Sequence, residues 1–314
     1  MISLNTYSFA LRMGLLSKKK KIQWNLRDFV DYSKNIGIKR IEFPIDYFAK
    51  KENQSFEYFF KLLKRNDIYP IIALEKYSIK SLRNLLRLSN NFKFNIIRVK
   101  MSNLFGGNRY KQADFYKKKK NFVKFIKKSV KLIDNSRILL VIENHQDLNS
   151  SEIINIIKSS KSKNLGINWD IGNSLPTCET PNEFFENAKN FIFNVHCKDY
   201  KVILSKDGYY MKRCVLGDGI IKFNKYYNFF KKKNINVSLE LAAQISRHSD
   251  IFNKQFFKPH KLNNKKIRNF KKFIKNKAIN ESPLTNWQSN YKIINVLKDE
   301  KREFEMSYKY LKNL

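Results

Sequence analysis

Glycine and proline are scarce, nine and six among 314 residues. With so few turn-formers and no Ser/Gly-rich break, nothing divides the chain, and one domain over residues 1–314 is expected. No Gly-rich phosphate loop follows the first apolar run, which argues against a nucleotide-binding open sheet. The three cysteines, Cys178, Cys197 and Cys214, are odd in number and contain no CxxC pair, so they fit neither a disulfide framework nor a zinc knuckle. No apolar run approaches the ~20 residues that span a bilayer. The N-terminal stretch is broken by Ser8 and Arg12, and its basic run follows the apolar part instead of preceding it, the wrong order for a signal peptide. These absences lead to the expectation of a cytoplasmic protein with no membrane partner.

Acidic residues are also few, 27 against 63 Lys and Arg, for a net charge of +36. Such a charge invites a nucleic-acid reading. Its composition speaks against specific recognition: lysines number 50 and arginines 13, although arginine is the residue suited to bidentate base and phosphate contacts. The lysines also recur on nearly every helical segment, as at 117–120 and 231–233, where they form solvated faces. With abundant Asn, Ile, Phe and Tyr, they look like the product of AT-rich coding DNA, and no specific nucleic-acid partner is expected.

What remains is a rhythm. Short β runs at 2–7, 38–43, 69–75, 96–101, 138–143, 165–170, 192–198 and 237–241 alternate with helical patterns. Phe56, Phe59, Phe60 and Leu63, and again Phe122, Phe125, Ile126, Val130 and Ile133, give their helices one apolar face. Asn149 to Glu152 and Thr180 to Glu183 read as capping boxes, the second with Pro181 at the first helical position. Eight β/α units predict a (β/α)8 TIM barrel over about 1–243, followed by a C-terminal helical extension over about 244–314.

Alternate residues of a strand face opposite sides, so parity locates the chemistry. Leu165, Ile167 and Trp169 oppose Gly166, Asn168 and Asp170; Phe191, Phe193, Val195 and Cys197 oppose Asn194, His196 and Lys198. Val237, Leu239 and Leu241 oppose Ser238 and Glu240, and Glu143 shares its side with Leu139 and Val141. With the apolar side against the helices, four consecutive strands end inward in Glu143, Asp170, His196 and Glu240, on neighbours ~4.8 Å apart. A strand-end acid taken singly is an ordinary helix cap or salt-bridge partner. Three carboxylates around one imidazole repel one another unless a cation lies between them, so one divalent metal is the economical explanation. The O,O,O,N donor set suits Mn²⁺, Mg²⁺ or Co²⁺ at least as well as Zn²⁺.

IENHQD (142–147), NWDIGN (168–173), VHCKDY (195–200), LGDGIIKF (216–223) and SLELA (238–242), in that order, resemble the xylose isomerase-like TIM-barrel superfamily of sugar and sugar-phosphate isomerases and epimerases. The resemblance covers strands five to eight, and the first half only in its rhythm. It implies that Glu143, Asp170, His196 and Glu240 bind one divalent ion and that Glu143 and Glu240 remove and return a proton next to a carbohydrate carbonyl. Asn173 stands where the family motif often carries a second histidine, which alters that substrate contact. Arg213 falls at the place of a substrate-binding arginine of some epimerases, after a longer insert at 201–212. Lys198 is a candidate to polarise a substrate oxygen or to pair with a neighbouring acid, and His145 to support the site or to be an ordinary loop histidine. Arg98 and Lys100 share the inward parity of the fourth strand, where they either hold a phosphate or carboxylate or pair with Glu42 or Glu75. The same chemistry serves decarboxylation of a 3-oxo acid and dehydration of a keto-cyclitol. An endonuclease IV-like DNA-repair enzyme shares the fold, but that family needs a three-metal cluster with more histidines than His145, His196, His248 and His260 provide. In the extension, residues 247–260 are candidates for a lid or a homo-oligomer contact, and 291–311 has helical periodicity.

Overall fold

The computed structural model describes residues 1–15, 24–241, 245–289 and 292–314; Ala242 of the SLELA segment and Tyr291 lie outside the described residues. The chain begins with β1 (Ile2–Asn5), a 3-10 turn at Thr6–Phe9 and α1 (Leu26–Asn35). It continues with β2 (Arg40–Pro44), α2 (Ile45–Lys51), α3 (Phe56–Arg65), β3 (Tyr69–Leu74), α4 (Ile79–Ser89), β4 (Ile96–Lys100) and α5 (Phe115–Ile133). Then come β5 (Leu139–Glu143), α6 (Ser150–Ser160), β6 (Leu165–Asp170), α7 (Pro181–Ala188) and β7 (Ile192–Cys197). A hairpin of β8 (Asp199–Leu204) and β9 (Tyr209–Cys214) precedes α8 (Asn224–Lys232) and β10 (Asn236–Leu239). The last elements are β11 (Arg247–Ser249), α9 (Asn264–Lys277) and α10 (Ile293–Lys312).

Strands β1 to β7 and β10 close into a parallel barrel in chain order, β10 lying between β7 and β1. This is the (β/α)8 architecture that the repeat predicts. Both expected capping boxes are present, at Asn149 with Glu152 and at Thr180 with Glu183. The outward stripe of β6 meets the helices as its parity requires: Trp169 is fully buried and stacks on Phe184 of α7 at 5.7 Å.

Phe193 departs from the parity expectation. The register between β6 and β7 shifts after Ile167, which pairs with Ile192, while Asn168 pairs with Asn194. Phe193 is thus the extra residue of a bulge. It packs with Ile71, Ile96 and Val141, residues from β3, β4 and β5, and not with the helix-facing core. A side chain at Gly166 would strike its ring, which explains a glycine at that position. Beyond the bulge the expected parity resumes, so Asn194 and His196 face inward.

Above this apolar plug the barrel interior is polar and hydrogen-bonded across strands, although Asn168 Nδ2 and Asn236 Oδ1 have no hydrogen-bond partner. Asn194 donates to Asn168 at 2.5 Å and Asn236 to Asn194 at 2.8 Å. Ser3 and Ser238 share a hydrogen bond at 2.6 Å, and Ser238 donates to Glu42 at 2.8 Å. Such pairing offsets the cost of burying amides and hydroxyls, and the chain of contacts fixes the rotamers on which the layer above rests.

The insert at 201–212 forms most of the β8–β9 hairpin, which pairs with β11 in a three-stranded antiparallel sheet over the C-terminal end of the barrel. Its apolar side, with Tyr200, Val202, Tyr209 and Met211, packs with Ile251, Phe256, Phe270 and Ile274 from the C-terminal region. Helix α10 returns to the barrel: Phe304 and Leu311 join the main core, and the Phe304 ring lies 5.0 Å from Phe9.

Asp199 ties the VHCKDY and LGDGIIKF segments together. Its carboxylate accepts from the backbone N–H groups of Gly217 at 3.0 Å, Gly219 at 3.1 Å and Ile221 at 3.1 Å, besides its neighbour Tyr200. Gly217 has φ +95°, and a side chain at Gly219 would collide with the Asp199 carboxylate. Asp199→Ala leaves several buried donors unmet, at ~1–3 kcal/mol for each. The expected loss is about 3 kcal/mol in urea unfolding, and a loss under ~0.5 kcal/mol contradicts this role.

Candidate metal centre and active site

The four residues expected to converge do so. Glu143 and Asp170 end β5 and β6, His196 is the penultimate residue of β7, and Glu240 follows β10 by one residue. The ladder carries Glu240 beyond its strand, because its N–H donates to Cys197 O at 3.0 Å. One ligand atom from each of the four lies within 4.8 Å of the others, and all four side chains are buried.

The surroundings hold each group in place. The Asn144 side chain brackets the Asp170 backbone, accepting from its N–H at 2.7 Å and donating to its carbonyl at 2.9 Å. Asn173 donates to Asp170 Oδ2 at 2.5 Å and accepts from Gln146 at 2.9 Å. His196 Nε2 lies 2.9 Å from both oxygens of Glu42, an outer carboxylate that aims the ring, as metal-bound histidines commonly require. Its Nδ1 abuts a Glu240 oxygen but off the hydrogen-bonding direction, and Asp170 Oδ1 has no hydrogen-bond partner.

These donors fit a divalent cation. Oδ1 of Asp170 is unmet, Nδ1 of His196 faces only a Glu240 oxygen of the same cluster, and the remaining donors are carboxylates, a set matched to hard or borderline ions. Positive charge is already drawn to the same spot. Lys198 Nζ reaches Asp170 at 2.6 Å and Glu240 at 3.1 Å, so these two carboxylates share one cation. Burial opposes the charged imidazole of His196, but Glu42 and Glu240 outweigh it and push its pKa up to about 10. Burial likewise opposes ionised Glu240, yet Lys198 and His196 hold its pKa well below the usual carboxylate range.

A cavity of about 280 Å³ opens above the cluster, with Glu143, Glu240, His145, Asn173 and Lys198 in its lining. At the small end for a binding pocket, it suits a small molecule. The His145 ring packs against Phe105 in a tilted arrangement, with centroids 5.3 Å apart. Burial, with Lys100 and Lys198 nearby, pushes its pKa well down, so the ring is neutral.

Arg98 and Lys100 are held in ion pairs. Arg98 meets Glu42 at 2.8 Å, Glu75 at 2.8 Å and Glu143; Lys100 meets Glu75 at 2.5 Å. Burial would raise the Glu75 pKa, but the two cations bring it down to about 2.

Arg213 is not in this cavity's lining. It donates to Leu241 O at 2.8 Å and pairs with Glu303 of α10 at 2.6 Å, which ties β9 to the C-terminal helix. The longer insert ahead of it builds β8 and β9, so the matched spacing does not carry the matched position.

Tyr7, Tyr200 and Phe105 line the cavity without having been singled out from the sequence, and Arg247, the first residue of the candidate lid, lines it too. Tyr7 carried a signal, since it shares parity with Ser3 and Asn5. Arg247 carried no signal as a binding residue beyond its place in the 247–260 segment, because β11 belongs to no β/α repeat. Of the other two histidines, His248 pairs with Asp250 at 2.7 Å, and His260 bonds to Gly107 O at 2.9 Å.

An eight-stranded parallel barrel with three carboxylates and a histidine gathered at the C-terminal strand ends defines an α/β barrel of the kind that builds its active site there. The chain belongs to the xylose isomerase-like TIM barrel family, whose model matches residues 30–251. Among curated proteins it is similar to the uncharacterised protein YihM of Escherichia coli K12, 29% identical over 89 residues, 28% of this chain and 27% of that one. It is also 25% identical over 107 residues, 33% of this chain and 39% of the other, to a 3-oxo-isoapionate decarboxylase of Pectobacterium atrosepticum. These matches thus span well under half the length of either relative. Among solved structures, the probable 3-DHS dehydratase AsbF of Bacillus anthracis superposes with a TM-score of 0.56 at 18% identity, covering 87% of this chain and 97% of that one. D-psicose 3-epimerase of Clostridium cellulolyticum H10 gives 0.56 at 11%, covering 88% and 96%. At these identities the likeness concerns the fold.

Proposed function

We propose that this protein is a divalent-metal-dependent isomerase or epimerase of a small sugar or sugar phosphate, working by proton transfer at a carbon next to a carbonyl. The observation that carries this reading is the convergence of Glu143 and Glu240, from strands on either side of β6 and β7, in one buried O,O,O,N cluster beneath a small cavity. A divalent ion held by Glu143, Asp170, His196 and Glu240 supplies Lewis acidity to the substrate carbonyl. One glutamate takes the proton and the other returns it. Glu42 keeps the His196 ring oriented, Lys198 offers its ammonium to a substrate oxygen, and Asn173 and His145 stand as polar contacts in the wall. Mn²⁺, Mg²⁺ or Co²⁺ suits the donors, with Zn²⁺ also within their range.

A second reading is supported by the local similarity to the 3-oxo-isoapionate decarboxylase and the fold-level likeness to the probable dehydratase. Loss of CO₂ or water from an oxidised sugar or cyclitol uses the same electron sink. The endonuclease reading is weaker, since among the described residues His196 is the sole histidine of the cluster.

The test is solvent deuterium exchange across ketoses, their phosphates and oxidised sugar acids, with the protein loaded in turn with each ion. Deuterium is expected at the carbon next to the carbonyl of at least one compound. Exchange at the level of buffer across the panel counts against the proton-transfer function.

A further inference from the structure

Four cationic side chains line the cavity, and three of them are neutralised within the protein. Arg98 meets Glu42, Glu75 and Glu143, Lys100 meets Glu75, and Lys198 meets Asp170 and Glu240. Arg247 has no acidic partner among the described residues. Its guanidinium carbon lies 3.6 Å from the centroid of the Phe105 ring, a stack that occupies one face of the group and leaves its N–H donors available. The backbone is fixed by the pairing of Arg247 with Met211 of β9. The β4–α5 loop that carries Phe105 is packed closely on β11, since a side chain at Gly106 would strike His248 O. Both members of the stack are therefore set by folded elements. Burial already works against the charge of Arg247, lowering its pKa from the ordinary value; the Tyr200 phenol beside it opposes that shift in part, and no carboxylate among the described residues does.

Resting on the function proposed above, we infer that Arg247 recognises an anionic group of the substrate, a phosphate ester or a carboxylate carried away from the carbon on which Glu143 and Glu240 act. The planar fork of N–H donors matches either group bidentately. Phe105 holds the fork in place, and β11 contributes a specificity residue that the β/α repeat itself does not supply. The net charge of +36 favours the arrival of small anions at the mouth.

The test compares a ketose, its terminal phosphate ester and the corresponding sugar acid on the metal-loaded full chain. One of the two anionic compounds is expected to exchange with the lower KM, and which one identifies phosphate or carboxylate as the group recognised. Arg247→Ala should raise that KM by about ten- to a hundredfold, the range for a hydrogen bond to a charged group, with little change for the neutral ketose. Arg247→Lys should recover part of the loss. A neutral ketose preferred by the wild type, or equal KM values in wild type and Arg247→Ala, overturns the inference.

Binding of inorganic phosphate and of malonate, read by thermal unfolding, needs no turnover and separates this inference from the proposed chemistry. Wild type and Glu143→Gln should be stabilised by one of these anions, Arg247→Ala much less, and Arg247→Lys to an intermediate degree. Stabilisation of Arg247→Ala equal to that of wild type, or none in wild type, overturns the role of Arg247 whatever the exchange screen returns.

Discussion

Replacing Glu143 or Glu240 by Gln is expected to cut turnover by about 10²–10⁴-fold, the usual cost of losing a general acid or base. Glutamine keeps the shape and one oxygen donor but removes the basic carboxylate. Both positions are buried, at 2% and 7% exposure, so no solvent carboxylate takes their place. The two variants need not behave alike. In a stereospecific epimerase each glutamate faces one side of the carbon, so each Gln variant retains deuterium exchange into one epimer while failing to convert it. A decarboxylase or dehydratase releases CO₂ or water instead and loses less on one of the two substitutions. Exchange and conversion measured side by side on each metal-loaded variant distinguish these patterns. Near-wild-type conversion in both variants removes the proton-transfer role from this pair.

Chelation of divalent ions is expected to abolish exchange and to lower the unfolding temperature. An ion bound only by the folded state adds roughly 2.7 kcal/mol of stability at a hundredfold excess over its Kd. The fold itself should persist, because Lys198 bridges Asp170 and Glu240 and Arg98 holds Glu143, so the acids are not left without counter-charge. Re-addition of Mn²⁺, Mg²⁺ or Co²⁺ should restore exchange at least as well as Zn²⁺, as read by thermal shift and exchange rate together. Full activity in the presence of a chelator, with no thermal shift on adding any ion, contradicts a metal-dependent site.

The barrel was legible because strands and helices leave different periods in sequence, and eight alternations admit few architectures. The convergence of Glu143, Asp170, His196 and Glu240 was legible for a related reason: in a closed barrel the polar parity has only the interior to face. Parity failed at Phe193, where one extra residue in β7 turns a ring into the barrel beside Gly166. A bulge changes which side a residue faces without changing composition, so an apolar run hides it.

Arg213 was misplaced, and Arg247 was read only as part of a candidate lid, for a different reason. Sequence spacing placed Arg213 in the site, but the hairpin inserted ahead of it carries the residue to Glu303 on α10. Arg247 lies in a three-residue strand whose place over the cavity depends on tertiary pairing with β9, which no local pattern announces. The ion-pair alternative weighed for Arg98 and Lys100 is the arrangement the structure shows, and it is visible only once β2, β3, β4 and β5 stand side by side.

The central claim is that four strand-end residues hold one divalent ion, and metal content tests it most directly. Purified wild type and an Asp170→Ala/His196→Ala double variant, confirmed as folded by their unfolding transitions, are equilibrated with Mn²⁺, desalted and assayed by elemental mass spectrometry. The account predicts about one ion per chain in the wild type and close to none in the double variant, since its removal leaves two carboxylates already engaged by Arg98 and Lys198. Equal metal content in the two proteins contradicts it.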